Sequence, residues 1–79
     1  MRITNREVAR AWAEGREATS HTGAFHTDGD RLYSYALLIG CTGGNGRVLT
    51  DYRAPNFVSA TTSKHVGLGA RYADIIVSP

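Results

Sequence analysis

The residues best equipped for chemistry fall in one short run, Thr61-Thr62-Ser63-Lys64-His65, which combines three hydroxyls, an ammonium and an imidazole. At a helix start, such side chains would add to the free N–H groups and partial positive charge of the helix end. They could then hold a phosphate of nucleic acid or a carboxylate of a protein. Thr61, Thr62 or Ser63 would serve equally as a plain helix cap. His65 could instead act as a base, with Cys41 or Ser63 as nucleophile and Asp51 as orienting acid, since such triads are set by geometry rather than spacing. Metal-ligand types occur at His21, His26, Asp28, Asp30, Cys41 and His65, but their spacing matches no zinc or calcium pattern. Asp28 and Asp30 read better as turn residues. A second group pairs Tyr33, Tyr35 and Tyr52 with Arg31, Arg47 and Arg53. On neighbouring strands, tyrosines ringed by arginines could stack bases, form a protein-binding hot spot, or face the core beneath helices.

The glycine-rich stretches exclude nucleotide chemistry. Gly43-Gly44-Asn45-Gly46 has no Lys-Ser/Thr after it, as a phosphate-cradling loop requires. Gly67-Leu68-Gly69 is followed by Tyr72 where a dinucleotide fingerprint needs Gly or Ala, and it sits within a helical pattern. No cofactor is expected.

These residues depend on a small set of elements. Thr4 to Glu14 reads as a helix: Thr4 and Glu7 have capping-box spacing, Val8, Ala11 and Trp12 form an apolar stripe, and Gly15 stands where a terminating glycine belongs. Arg6, Arg10 and Glu14 mark a solvated face. Arg16 to His21 reads as a loop and Thr22 to Thr27 as a weak strand. Asp28-Gly29-Asp30 is a hairpin turn. Arg31 to Cys41 reads as one strand, with Leu32, Ala36 and Leu38 on one face and Tyr33, Tyr35, Leu37, Ile39 and Cys41 on the other, covered in part on both sides. Cys41 reads as a small core residue at the strand end. Asn45-Gly46 predicts a hairpin to a partner strand over Arg47 to Arg53. Ala54-Pro55-Asn56 breaks that strand, and Phe57 to Ala60 could extend the sheet edge. Thr61 to Ala73 reads as a second helix, with His65, Leu68, Gly69 and Tyr72 on one face. Gly67 and Gly69 suggest close packing on the sheet or on a partner. Ile75, Ile76 and Val77 could add an edge strand. The expected fold is α+β: an antiparallel sheet of about three strands carrying an N-terminal and a C-terminal helix.

The chain has 79 residues, read as a single domain over 1–79. A domain of this size buries roughly 60% of its unfolded surface, so a deep catalytic cleft is hard to build and self-association could supply missing burial. A non-enzymatic protein is expected. Net charge is +2, eight of the nine basic residues being arginine, and the bias towards anionic partners is weak. Cys41 is the only cysteine, which excludes an internal disulfide and fits a reducing cytoplasm. The longest apolar run, Ala36 to Ile39, is far short of a membrane span, and Met1-Arg2-Ile3-Thr4 lacks a signal-peptide core. A cytoplasmic protein with no membrane partner follows.

Three stretches carry a family resemblance: Val8-Ala9-Arg10-Ala11-Trp12-Ala13, Gly29-Asp30-Arg31-Leu32-Tyr33-Ser34-Tyr35 and Thr61-Thr62-Ser63-Lys64-His65-Val66. They resemble small proteins encoded by phages and other mobile elements, which carry a helix, a G-x-x-(L/I)-Y-S-Y strand, a valine-rich strand and a T-(T/S)-S-(K/R)-H helix start. The likeness spans nearly the whole chain. It departs at Ala36-Leu37-Leu38, where more polar residues are expected, and at Gly67 and Gly69, which thin the last helix. No active site is carried over. Small phage proteins without catalytic motifs are similar in style to anti-CRISPR inhibitors. The resemblance therefore implies an inhibitor in the host bacterial cytoplasm that binds a multisubunit, RNA-guided type I CRISPR surveillance complex and sterically blocks target DNA. In that reading Arg31, Tyr33, Tyr35, Arg47, Tyr52, Arg53 and Lys64 are the partner-binding residues. They would grip an acidic patch or the wall of a nucleic-acid channel. The alternative is a small nucleic-acid-binding regulator using the same Arg/Tyr sheet and Lys64.

Overall fold

The computed structural model describes residues 3–44, 46–52 and 60–79. Helix α1 (Asn5–Glu14) begins as its capping residues require. The Thr4 side chain accepts a hydrogen bond from the Glu7 N–H at 3.2 Å, and Gly15 closes the helix at φ 74°, its N–H turned back to Ala11 and Trp12. Five strands follow one another as antiparallel neighbours, with α1 preceding them: β1 (Glu17–Thr19), β2 (Phe25–Asp28), β3 (Arg31–Ser34), β4 (Leu37–Gly43) and β5 (Gly46–Thr50). Helix α2 (Ala60–Ala70) then carries the chain to β6 (Ile75–Val77), which pairs parallel to β5. The result is α+β, with a mixed six-stranded sheet in the order β1-β2-β3-β4-β5-β6.

The expected sheet of about three antiparallel strands is therefore too small, for identifiable reasons. The stretch Arg31 to Cys41 is two strands folded at Tyr35-Ala36, where Tyr35 holds φ 56° without the glycine or asparagine that normally announces such a turn. β1 lies in a polar stretch whose one buried apolar residue is Ala18, so it has almost no apolar pattern to read. β6 is reached by a helical crossover, the usual route to a parallel neighbour. Thr22 to Ala24 belong to a turn, and β2 begins at Phe25.

Both helices lie on one face of the sheet, where α1 meets β1, β2 and β3, and α2 meets α1, β3 and β5. The core between them contains Val8, Ala9, Ala11 and Trp12 of α1, Ala18, Phe25, Leu32, Ile39 and Leu49 of the sheet, and Val66 of α2. Trp12 is fully buried and donates its indole N–H to the Asp30 carbonyl at 3.0 Å, which satisfies the ring's one polar atom. Its ring rests on Gly40, where an added Cβ would lie 3.0 and 3.1 Å from it. Gly69 brings α2 down on the same floor, its would-be Cβ 3.0 Å from both Leu32 and Leu49. Close packing through Gly69 is thus observed, whereas no described residue stands over Gly67.

A bulge sets which side chains face out. Leu32 pairs with Gly40 and Tyr33 with Leu38, leaving Ile39 as the extra residue. Ile39 and Gly40 are both buried, and Leu38 and Cys41 are exposed. The reading of Leu38 on the same face as Leu32, and of Cys41 as a core residue, is therefore corrected. The Tyr35-Ala36 turn resets the alternation before the bulge shifts it again. Among the described residues the sheet is covered on one side, not on parts of both. Continuation of β5 to Arg53, and an extension over residues 57–59, lie outside the described residues. Among the described residues no helix is long and apolar enough to cross a membrane.

Candidate functional site

The bare face of the sheet is built by strand register. One row across it runs Thr19, His26, Tyr33, Leu38, and the next runs Arg31, Cys41, Val48, Ile75. His26 and Tyr33 stack with centroids 5.0 Å apart and planes 14° from parallel. Arg31 is held in its charged form first by hydrogen bonding to the Tyr33 side chain, then by the charges around it, Asp28 among them. The Asp28 carboxylate accepts the Arg31 N–H at 2.7 Å and the Asp30 N–H at 2.9 Å, and those bonds hold its pKa below the usual carboxylate range. Beside this polar corner, Leu38 is 44% and Ile75 40% exposed. The face thus joins one fixed cation and a stacked aromatic pair to an apolar strip.

A second arrangement lies on the opposite side, sealed in the core. Ser34 of β3 donates its hydroxyl proton to Thr62 Oγ1 at 3.0 Å and lies 2.7 Å from His65 Nδ1. With that one proton committed to Thr62, the Ser34 oxygen accepts from Nδ1–H. This polarity is opposite to a nucleophile–base pair, in which the serine gives its proton to the imidazole. Phe25 stacks on His65 at 4.4 Å and 8°, and Tyr35 leans over it at 6.2 Å. Burial pushes the His65 pKa below its ordinary value. His65 therefore meets Ser34, not Cys41 or Ser63. The serine of the Y-S-Y stretch and the threonine and histidine of the T-T-S-K-H stretch interlock as one buried polar knot. Because α2 opens at Ala60, Thr61, Thr62 and Ser63 stand inside its first turn rather than at the cap.

The residues expected to bind a partner do not form one surface. Arg31 and Tyr33 share the bare face. Tyr35 projects from the β3–β4 turn, 53% exposed. Arg47 points the other way: its guanidinium reaches the Ala13 carbonyl at the end of α1 and lies 3.8 Å from Asp74. Tyr52 is half-buried and packs against the core. Lys64 is exposed on α2, on the helix side of the sheet. Arg53 lies outside the described residues. Sequence reasoning did not pick out Leu38, Val48 and Ile75, which line up with Arg31 and Tyr33 only once the Tyr35-Ala36 turn and the bulge are known. Tyr35-Ala36 lies within an apolar stretch and holds no turn residue, so the sequence carries no signal for the fold-back there. Among the described residues no three His, Cys, Asp or Glu side chains converge.

Comparison with protein-family models, with curated proteins and with solved structures returned no match.

Proposed function

We propose that this chain is a non-enzymatic binding protein that covers a surface of a protein partner with the bare face of its sheet. One observation carries the reading: both helices occupy the same side, and the other side offers Tyr33, Leu38, Cys41, Val48 and Ile75 in adjoining rows with Arg31 at the rim. A mixed apolar and aromatic patch with an arginine at its margin has the composition of a protein interface. Stacking of bases would call for a basic track beside the tyrosines. Arg47 is turned into the helix side instead, so the face favours protein over nucleic acid. The Ser34–His65 pair supports a structural role, being sealed and of the wrong proton polarity for attack.

The resemblance to small phage proteins supplies the partner class: a type I CRISPR surveillance complex in the bacterial cytoplasm, blocked from its target DNA. Purified complexes of that type, mixed with the chain, should co-elute with it and lose target-DNA binding. Leu38→Glu should weaken this at least tenfold while leaving the unfolding free energy from urea titration within about 0.5 kcal/mol of wild type, as for an exposed position. Direct binding of the chain to duplex DNA or RNA, falling steeply with salt, would instead make it a nucleic-acid regulator.

A further inference from the structure

A shallow groove on the helix side is lined by Asn5 of α1, by Lys64, Gly67 and Leu68 of α2, and by Arg71 in the turn that follows. Three features of it lack a role in folding. First, Gly67 sits mid-helix with no described residue within 4 Å of a would-be Cβ, in contrast to Gly69 two residues on, which the core requires. A glycine there weakens the helix against alanine and gains no packing against the described residues. Second, the two cations have no ion-pair partner among the described residues, whereas Arg10, Arg16 and Arg47 each sit beside a carboxylate. Third, α2 contains no acidic residue to balance Lys64.

We propose that this groove binds an acidic, extended peptide segment of a protein partner, its backbone lying over Gly67 and its carboxylates on Lys64 and Arg71. Lys64 and Arg71 are about 10 Å apart along the helix at 1.5 Å per residue. In an extended polyproline II segment, with three residues per turn and about 3.1 Å rise, acidic side chains three residues apart share one face and are separated by about 9 Å. The missing side chain at Gly67 lets a peptide backbone approach between the cations, Leu68 supplies an apolar contact, and the Asn5 amide can pair with a peptide group. The charges complement a segment of the form Glu-x-x-Glu. Nucleic acid is the poorer occupant: two cations make few phosphate contacts, and the groove offers no aromatic ring for a base. This site is separate from the bare sheet face and stands or falls independently of it.

The test uses the full chain, labelled with ¹⁵N and titrated with the peptide Ac-Ala-Glu-Leu-Ala-Glu-Ala-NH2, with the Gln-for-Glu peptide as control. Saturable shifts confined to the amides of Asn5 and of residues 64–71 are expected, at least tenfold weaker with the control. Lys64→Glu combined with Arg71→Glu should abolish them. Gly67→Leu should weaken binding at least fivefold without lowering the melting temperature, which separates occlusion of the groove from loss of fold. The proposal is overturned if the acidic and neutral peptides act alike, if shifts spread over the sheet, or if a DNA or RNA duplex moves the same amides at lower concentration.

Discussion

At His65 a single hydrogen decides the chemistry. Ser34 donates its hydroxyl hydrogen bond to Thr62, so the imidazole keeps Nδ1 protonated in order to donate to Ser34. A second proton would place a charge against Phe25 in the core. Burial therefore lowers the pKa in the folded chain, and the unfolded chain, with a value near 6.5, binds a proton first as pH falls. The sign follows: stability is full above about pH 6.5 and declines as pH drops below it, towards the folded-state pKa. Urea midpoints measured at pH 7.5 and 5.5 should fall for wild type and fall less for His65→Gln; parallel declines would assign the effect to another group. Ser34→Ala should cost about 1–3 kcal/mol by urea unfolding, since it leaves Nδ1–H buried without its acceptor. Tyr35 presents the reverse case. Its positive φ costs roughly 1–2 kcal/mol in a residue with a side chain, against roughly 0.5–1 kcal/mol of chain entropy for glycine. Tyr35→Gly should therefore leave stability unchanged or raise it by up to about 1.5 kcal/mol in the same assay. A loss above about 2 kcal/mol would mean that the ring's contact with His65 outweighs the backbone strain.

The elements differ in how far local signals specify them. α1 was legible because Thr4, Glu7 and Gly15 act within a turn of themselves, and the Asp28-Gly29-Asp30 hairpin carries its turn chemistry in adjacent residues; the predicted second hairpin is present in the pairing of β4 with β5, though Asn45 lies outside the described residues. The β3–β4 hairpin was illegible because Tyr35 adopts a glycine-like conformation that no propensity anticipates. The Ser34–His65 contact joins positions 31 residues apart, so neither stretch announces the other. The two helix glycines read as a packing signal, but sequence does not tell which one meets the core. Substitution can. Gly67→Ala should stabilise the chain by about 0.5–1 kcal/mol, the helix propensity difference, because no described residue lies within 4 Å of the methyl. Gly40→Ala should destabilise by about 1–3 kcal/mol, because its methyl would press on the rigid, fully buried Trp12 ring. Thermal or urea unfolding of both variants checks the contrast, and equal effects would remove the packing argument for Gly40.

At the scale of the whole molecule, one-sided layering leaves the sheet with two unlike edges. β1 shows Glu17 and Thr19 to solvent, whereas β6 shows Ile75, Ile76 and Val77, which are 40%, 47% and 39% exposed. An edge strand presents unpaired backbone groups, and charges such as lysine are the common means of keeping it from pairing with other chains. β6 has no charged residue of its own. Its place beside β5 is secured from the flank, where the Asp74 N–H bonds the Arg47 carbonyl and the Asp74 carboxylate accepts the Arg47 N–H, at 2.8 and 2.9 Å. Apolar residues on an anchored, unguarded edge make β6 the segment through which heated or concentrated chains should associate. Ile76→Lys places a charge there at a cost of less than about 1 kcal/mol, since about half of the side chain is already in water. Light scattering on heating should then show aggregation starting at a higher temperature for Ile76→Lys than for wild type, with similar urea midpoints. If aggregation starts at the same temperature in both, the association does not run through this edge, and the bare face with Leu38 at its centre becomes the surface responsible.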